Sequence, residues 1–387
     1  MGTTHPARRR TGLRVALLAL SAVVALTACG GNAGQASSGP STAATTGKAL
    51  DAEIASLTKP LDSYPVPSGA ISGVASLKGK TVYYVPVTAQ APALAVTAKA
   101  LGAALKSVGI KLQTCDGKGT PTDISACINQ ATSARAGAVI ADSIAYGLAG
   151  SAFDAAQAAG VPVVISNQLP DDSHPASKTL AYVPPGGSQM DEALAKWIIR
   201  DSDGKAQVLI NESVDGPSPA AYVAAGRKVY AQDCPDCKVT INKISAANFS
   251  LIPSSTSAAV LKDSEIGYVE AQFGQYTQAT QAGVQQTSRP GIKVVVGAAG
   301  LSDLKAVANG QIAAAAGQSD AYQGWIDADA ALRMMGGQSV PDYTIPVRLF
   351  TKDTMSDVTL TEQADASGEW FGPTTFTDDF EKLWGLT

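Results

Sequence analysis

At 387 residues the chain exceeds one ordinary compact domain, which spans roughly 100–200 residues, so two lobes are expected. Its 29 lysines and arginines are scattered among 33 acids for a net charge of −4; no basic patch forms, which argues against a nucleic-acid partner. The only histidines are His5 and His174, so a two-histidine metal motif is excluded and a histidine-based triad is disfavoured.

Arg8, Arg9, Arg10 and Arg14 give the chain a positive start, and residues 13–28 are apolar or small except for Arg14, Ser21 and Thr27. That is the apolar stretch of a secretory signal, short of the roughly 20 apolar residues of a membrane span. It ends in Leu26-Thr27-Ala28-Cys29-Gly30-Gly31, which resembles the lipobox of bacterial lipoproteins. The resemblance implies a signal peptide over 1–28, with Cys29 as the lipidated mature N-terminus. It also implies more than one acyl chain, which anchors an extracytoplasmic protein stably to the cell membrane. Losing residues 1–28 removes four arginines and no acid, so the charge moves to −8. Residues 29–50 are mostly Gly, Ala, Ser and Thr with Pro40 and one lysine, the composition of a flexible tether.

From Lys80 onward the pattern alternates. Strands are predicted at Lys80–Val85, Ile110–Thr114, Ala138–Ala141 and Val161–Ile165, with helices at Ala91–Val108, Asp123–Ala134 and Ala145–Ala159 between them. A similar run follows: helix Ser188–Arg200, strand Gln207–Asn211, helix Ser218–Gln232 and strand Val239–Ile244. It continues with helix Ser255–Lys262, strand Ile266–Val269, helix Tyr276–Thr287 and strand Ile292–Val296. Short apolar strands alternating with amphipathic helices argue for parallel sheets covered on both faces, so the fold class is α/β with two similar lobes. Ligands in such sheets bind outside the carboxyl ends of the strands, so two facing lobes enclose a cleft. The tail from residue 358 carries Trp370, Phe371 and Trp384 and is expected to pack on a lobe.

Four cysteines follow Cys29, and in an exported chain their even number and close spacing favour disulfides Cys115–Cys127 and Cys234–Cys237. The first closes a ring worth roughly 3 kcal/mol by loop entropy. Cys234-Pro235-Asp236-Cys237 sits in a turn before a strand and not at a helix N-terminus that would stabilise a thiolate, so a structural bridge is favoured over a redox dithiol. No second pair completes a zinc set.

Catalytic patterns are missing. Gly73 to Gly79-Lys80-Thr81 is one residue too long for a phosphate loop and precedes a strand instead of following one. His174 lies in a polar loop and reads as a surface residue. Asp327 and Asp329 share no helix face and read as solvated. No acid–base pair stands out, and neither an enzyme, a metal nor a cofactor is expected.

Residues 79–350 resemble the type I periplasmic sugar-binding proteins of ABC transporters. The segments that carry the resemblance are Val82–Thr88 with the small-residue helix after it, Gly137–Asp142, Ala159-Gly160-Val161-Pro162-Val163-Val164, Val294–Gly297, Leu304–Ala314 with Gln318, and Ala321–Met335. The family implies two Rossmann-like lobes joined by three hinge crossovers that close on a ligand. It divides this chain into an N-terminal lobe (79–183 plus about 319–347), a C-terminal lobe (184–318 plus about 348–357) and an extension (358–387). It also implies a monomer that binds a small molecule and an ABC permease.

Several family positions differ here. Ala298-Ala299 replace a late acid, Ser166-Asn167 replace an Asp-Arg pair, and Tyr222-Val223 stand where a cleft arginine is expected. Gln272 replaces an asparagine, while the paired aromatics after the first strand are missing from Thr88-Ala89-Gln90-Ala91. Phe249 matches a stacking aromatic, and Gln318 carries over. The resemblance therefore implies a neutral cleft lined by Gln90, Asn167, Gln168, Asn211, Phe249, Gln272, Phe273 and Gln318, with Glu212 and Asp215 the nearest acids. Carbohydrate is the family's default ligand. A small aromatic or apolar metabolite is the alternative, as is a sensing lipoprotein of the same fold.

Overall fold

The structure, a computed structural model, describes residues 42–386. The expected signal peptide, Cys29 and the expected tether as far as residue 41 lie outside the described residues. From residue 42 the expected tether is instead helical, as α1 (Thr42–Leu57). Leu50, Ile54 and Leu57 recur at one-turn spacing and pack into the apolar core of the second lobe, an anchor that small-residue composition alone conceals. Lys196 pairs with Glu53 at 2.7 Å, and Arg200 pairs with Asp51.

The first sheet contains β1 (Thr81–Pro86), β2 (Lys111–Thr114), β3 (Ala138–Asp142), β4 (Val163–Ser166) and β5 (Leu180–Val183). Its order is β2-β1-β3-β4-β5, and every pairing is parallel. The helices α2 (Pro92–Ser107), α3 (Pro121–Ser133) and α4 (Gly150–Ala158) make the crossovers. Pro starts α2 and α3, where its missing N–H costs nothing, and Thr120 Oγ1 caps α3 by accepting from Asp123 N at 3.1 Å. β3, β4 and β5 are wholly buried, as strands covered on both faces must be. β5 escapes the alternating pattern because a loop, not a helix, leads into it from β4.

The second sheet holds β6 (Gln207–Ser213), β7 (Lys238–Ile244), β8 (Tyr268–Ala271), β9 (Lys293–Val296), β10 (Ala314–Gln318) and β11 (Val347–Thr351). Its order is β11-β10-β9-β8-β6-β7, parallel except for β11, which runs antiparallel to β10. Around it lie α5 (Gly187–Asp201), α6 (Pro217–Asp233), α7 (Ile252–Lys262), α8 (Thr277–Gln286) and α9 (Leu301–Ala308). The chain passes between the sheets at 184–186, again after Gln318, and again over 336–346. All three crossings meet at Gly186: its N–H donates to Gln318 Oε1 at 2.7 Å, and a Cβ there would sit 2.5 Å from Val347 Cγ2. Only glycine fits that approach. Both disulfides, Cys115–Cys127 and Cys234–Cys237, are present.

After the second crossing, α10 (Asp320–Met335) returns to the first lobe and is buried along nearly its whole length. The expectation of solvated Asp327 and Asp329 is therefore corrected, since both are fully buried. One side of α10 lies on α2 and the first sheet, and the other lies under the chain termini. Asp327 accepts from Ser166 Oγ at 2.8 Å and from Gln323 Nε2 at 3.0 Å. Asp329 accepts from Arg333 Nε at 2.7 Å, Tyr343 Oη at 2.7 Å and Trp384 Nε1 at 2.8 Å. A buried carboxylate is tolerated only with partners of this kind.

Residues 58–77 form one interlaced layer together with α11 (Glu362–Ser367) and α12 (Phe376–Leu383). Leu61 N donates to Phe371 O at 2.7 Å, and Ile71 N donates to Leu383 O at 3.0 Å. The layer grips the first lobe through Trp384 stacked on Trp325 at 5.4 Å and Tyr64 stacked on Tyr322 at 4.7 Å. It grips the second lobe through Arg348 on β11, whose guanidinium donates to Thr58 O at 2.9 Å and to Trp370 O, and through Phe371 against Phe350.

Candidate functional site

The loops after β3 and β4 face the loop after β6. Ser218 Oγ donates to Gln168 Oε1 at 2.9 Å and accepts from Leu169 N at 3.1 Å. A Cβ on Gly216 would lie 3.8 Å from the Ala145 methyl. The carboxyl ends of both sheets thus meet across a cleft backed by the three crossings. Three strand ends there, after β3, β4 and β9, turn through left-handed backbone at Ser143, Asn167 and Ala298. Asparagine adopts this conformation readily, whereas alanine holds it at a cost that the surroundings must offset.

On the first-lobe side, Asp142 ends the apolar strand β3. Tyr84 Oη donates to its Oδ2 at 2.6 Å, while Asn167 Nδ2 at 2.9 Å and Ser143 Oγ at 3.0 Å donate to its Oδ1. Burial pushes this carboxyl above its ordinary range, and the three bonds oppose the shift. Asp327 is raised as well, by burial first and by the Asp142 charge second. Asn167 Oδ1 accepts from Gln318 Nε2 at 3.1 Å, so one chain of bonds runs from Tyr84 through Asp142, Asn167 and Gln318 to the hinge at Gly186. His174, expected as a surface residue, keeps its side chain 39% exposed while its ring stacks on Tyr146 at 3.8 Å and meets Asp171 at 3.0 Å.

On the second-lobe side, Asp215 Oδ2 accepts from Ser213 Oγ at 2.9 Å, Ala246 N at 2.8 Å and Tyr276 Oη at 2.9 Å. The Tyr276 ring lies 6.2 Å from Phe249 and 6.3 Å from Phe273. Burial pushes the Tyr276 phenol up to about 12. Phe249 is 46% exposed, whereas Phe273 is half-buried against the core.

The other expected residues divide. Gln90 is exposed in the β1–α2 loop, and Gln168 ties the lobes together. Asn211 is not a cleft residue. β6 continues two residues past it to Ser213, which leaves Asn211 inside the lobe, donating to Thr256 and Thr280 and accepting from Asn242. Gln272 is buried as a strut, accepting from Ser213 N at 2.8 Å and donating to Pro219 O at 2.7 Å. Gln318 is committed to Gly186 and Asn167 in the same way. Of the two acids expected nearest the cleft, Asp215 is exposed in the loop after β6 and Glu212 is buried, and Asp142 is buried at the end of β3.

Sequence reasoning missed Asp142, although a lone acid closing the otherwise apolar Ala-Val-Ile-Ala run is its signal. It also missed a buried acid group in the second lobe. Asp191 and Glu270 are 4% and 1% exposed, each with one oxygen lacking a partner, as do the Tyr222 and Tyr230 hydroxyls. Burial pushes Glu270 up to about 8, and burial with the charges of Glu270 and Glu212 raises Asp191. Among the described residues, no group of three His, Cys, Asp or Glu is arranged to hold a metal.

Residues 82–339 match the family model described as "Periplasmic binding protein domain". No curated protein sequence matches. The 5-methylthioribose transporter solute-binding protein of Thermotoga lettingae, solved with 5-methylthioribose, is similar at TM-score 0.65 and 17% identity, covering 79% of this chain and 97% of that one. A sugar-transporter subunit of Rhodobacter sphaeroides follows at 0.63 and 17%, covering 72% and 99%. A Mycobacterium smegmatis protein in complex with β-D-fucofuranose follows at 0.64 and 15%, covering 74% and 96%. With two parallel-sheet lobes, a three-stranded crossing behind the cleft and a family match over two thirds of its length, the chain belongs to the periplasmic binding proteins and has their type I fold.

Proposed function

We propose that the protein is an exported lipoprotein, anchored through Cys29, that captures a small carbohydrate between its two lobes and presents it to an ABC importer's permease without chemical change. The observation that supports this most is the meeting of the two sets of strand ends across one hinge, with exposed Phe249 in the wall. An aromatic face stacks on the apolar face of a sugar ring, while Gln90, Asn167 and Gln168 on the opposite wall offer donors and acceptors for hydroxyls. A ligand that touches both walls favours the closed arrangement by its differential affinity, and closure is what a permease reads. The exposed ring of Phe249, backed by Phe273 and buried Tyr276, favours a second reading, a small aromatic metabolite.

The test is a thermal-shift screen over sugars, polyols and aromatic metabolites, followed by calorimetry and by solution X-ray scattering with and without the ligand. Binding of a sugar with contraction of the particle is expected. Binding of aromatics alone would select the second reading, and turnover of a bound compound would overturn both. Anchoring is tested separately: Cys29→Ser should move the protein out of the membrane fraction, and retention of the variant there would overturn the lipoprotein assignment.

A further inference from the structure

We infer that the carbohydrate carries a positively charged amine, and that Asp215, held from behind by buried Tyr276 and standing beside the exposed ring of Phe249, receives it. This inference rests on the solute-binding reading and names the ligand class of that same cleft.

Asp215 is held in a way that prepares it for a cation. All three of its hydrogen bonds converge on Oδ2, from Ser213 Oγ, Ala246 N and Tyr276 Oη, so the carboxylate is fixed before any ligand arrives. Its Oδ1 receives no bond from the protein, and the residue is exposed where the β6 loop faces Ala145 across the cleft. A group fixed in advance costs little further ordering on binding. The same tyrosine that orients Asp215 lies within 6.2 Å of Phe249 and 6.3 Å of Phe273. Of these rings Phe249 is the exposed one, and a carboxylate beside an exposed aromatic face suits an ammonium group, which gains from both the charge and the ring quadrupole.

The rest of the cleft is unbalanced in the same direction. The strand-end loops at 87–91, 143–149, 167–179, 214–216, 245–251, 272–276 and 297–300 contain Asp171, Asp172 and Asp215, and their one cation, Lys178, adjoins the start of β5 at the opposite end of that parallel sheet. Lys118, in the loop after β2, is paired with Asp123 at 3.2 Å. Asp142 lies under the floor with hydroxyl and amide partners only. A neutral sugar has no charge to set against such a field, whereas an amine completes it, and complementary potential is what confers selectivity and speeds encounter.

The experiment is calorimetry on matched pairs: glucosamine with glucose, galactosamine with galactose, and mannosamine with mannose, at neutral pH and low salt. Wild type, Asp215→Asn and Asp215→Glu are compared, with melting temperatures confirming that each variant folds. At least one amine should bind wild type about tenfold or more tighter than its neutral partner, the margin a charge-assisted bond supplies. Asp215→Asn should erase that margin, Asp215→Glu should retain part of it, and added salt should shrink it. Neutral sugars binding as tightly as the amines would overturn the charge assignment and leave the solute-binding reading intact. A margin that survives Asp215→Asn would overturn the role of Asp215. No binding by any member of any pair would overturn this inference and the carbohydrate reading together.

Discussion

Replacing Glu270 with glutamine should make the protein more stable, and by an amount that grows with pH. Glu270 is 1% exposed on β8, and one of its oxygens has no partner. In the folded protein it keeps its proton up to about pH 8, whereas the unfolded chain releases it near 4.5. A folded value raised above the unfolded one means that the stabilising contribution is complete below pH 4.5 and is lost as pH rises through about 8. At about 1.4 kcal/mol per tenfold change, that interval sets a ceiling of roughly 5 kcal/mol, of which roughly 3 kcal/mol is already lost by pH 7. Asp191 shares the site and holds a raised value of its own, so part of the loss is carried jointly. Glutamine keeps the shape and removes the charge. Urea unfolding of both proteins at pH 5, 6, 7 and 8 should show near-equality at the acid end and a gain of about 2 kcal/mol or more for the variant at pH 7 to 8. A difference that does not change with pH, or a wild type that is the more stable at pH 8, would refute the reasoning.

Trp384→Ala should cost roughly 3–5 kcal/mol in chemical denaturation, because it removes a buried indole stacked on Trp325 and one donor to Asp329. Trp384→Phe should recover most of the packing but not the bond, a residual loss of about 1–2 kcal/mol. Cys115→Ser with Cys127→Ser should lower stability by roughly 3 kcal/mol under oxidising conditions, with no further effect from a reductant at this site. Phe249→Ala should leave the melting temperature nearly unchanged, since the ring is largely exposed, yet weaken ligand binding by about 1–3 kcal/mol in calorimetry.

The sheet strands and their helices were legible where one period dominated. Ala138–Asp142 and Val163–Ser166 are apolar runs that only strands buried on both faces need. Lys238–Ile244 alternates as the edge strand it is. Local pattern failed where covering came from far away in sequence. Nothing near Asp327 and Asp329 announces that α10 will be roofed by residues more than 40 positions later, so both acids read as solvated. Asn211 was misplaced by a strand end drawn two residues early, a shift that exchanges cleft for core. Of the amides expected to bind ligand, Asn211, Gln272 and Gln318 are instead spent on the hinge and the lobe interiors. The carboxylate that does stand in the wall, Asp215, is placed by Ser213, Ala246 and Tyr276, which come together only once three strands are side by side.

The roof over α10 also bears on how the protein is made. The side of that helix carrying Tyr322, Trp325 and Asp329 is closed by Phe376, Phe380 and Trp384, more than 40 positions later in the chain. Until those residues have been added, the first lobe has an open apolar flank and a buried-type carboxylate with a missing donor. Completion of the first lobe therefore waits on residues 376–384, and a copy truncated before them emerges with that flank exposed to proteases and chaperones.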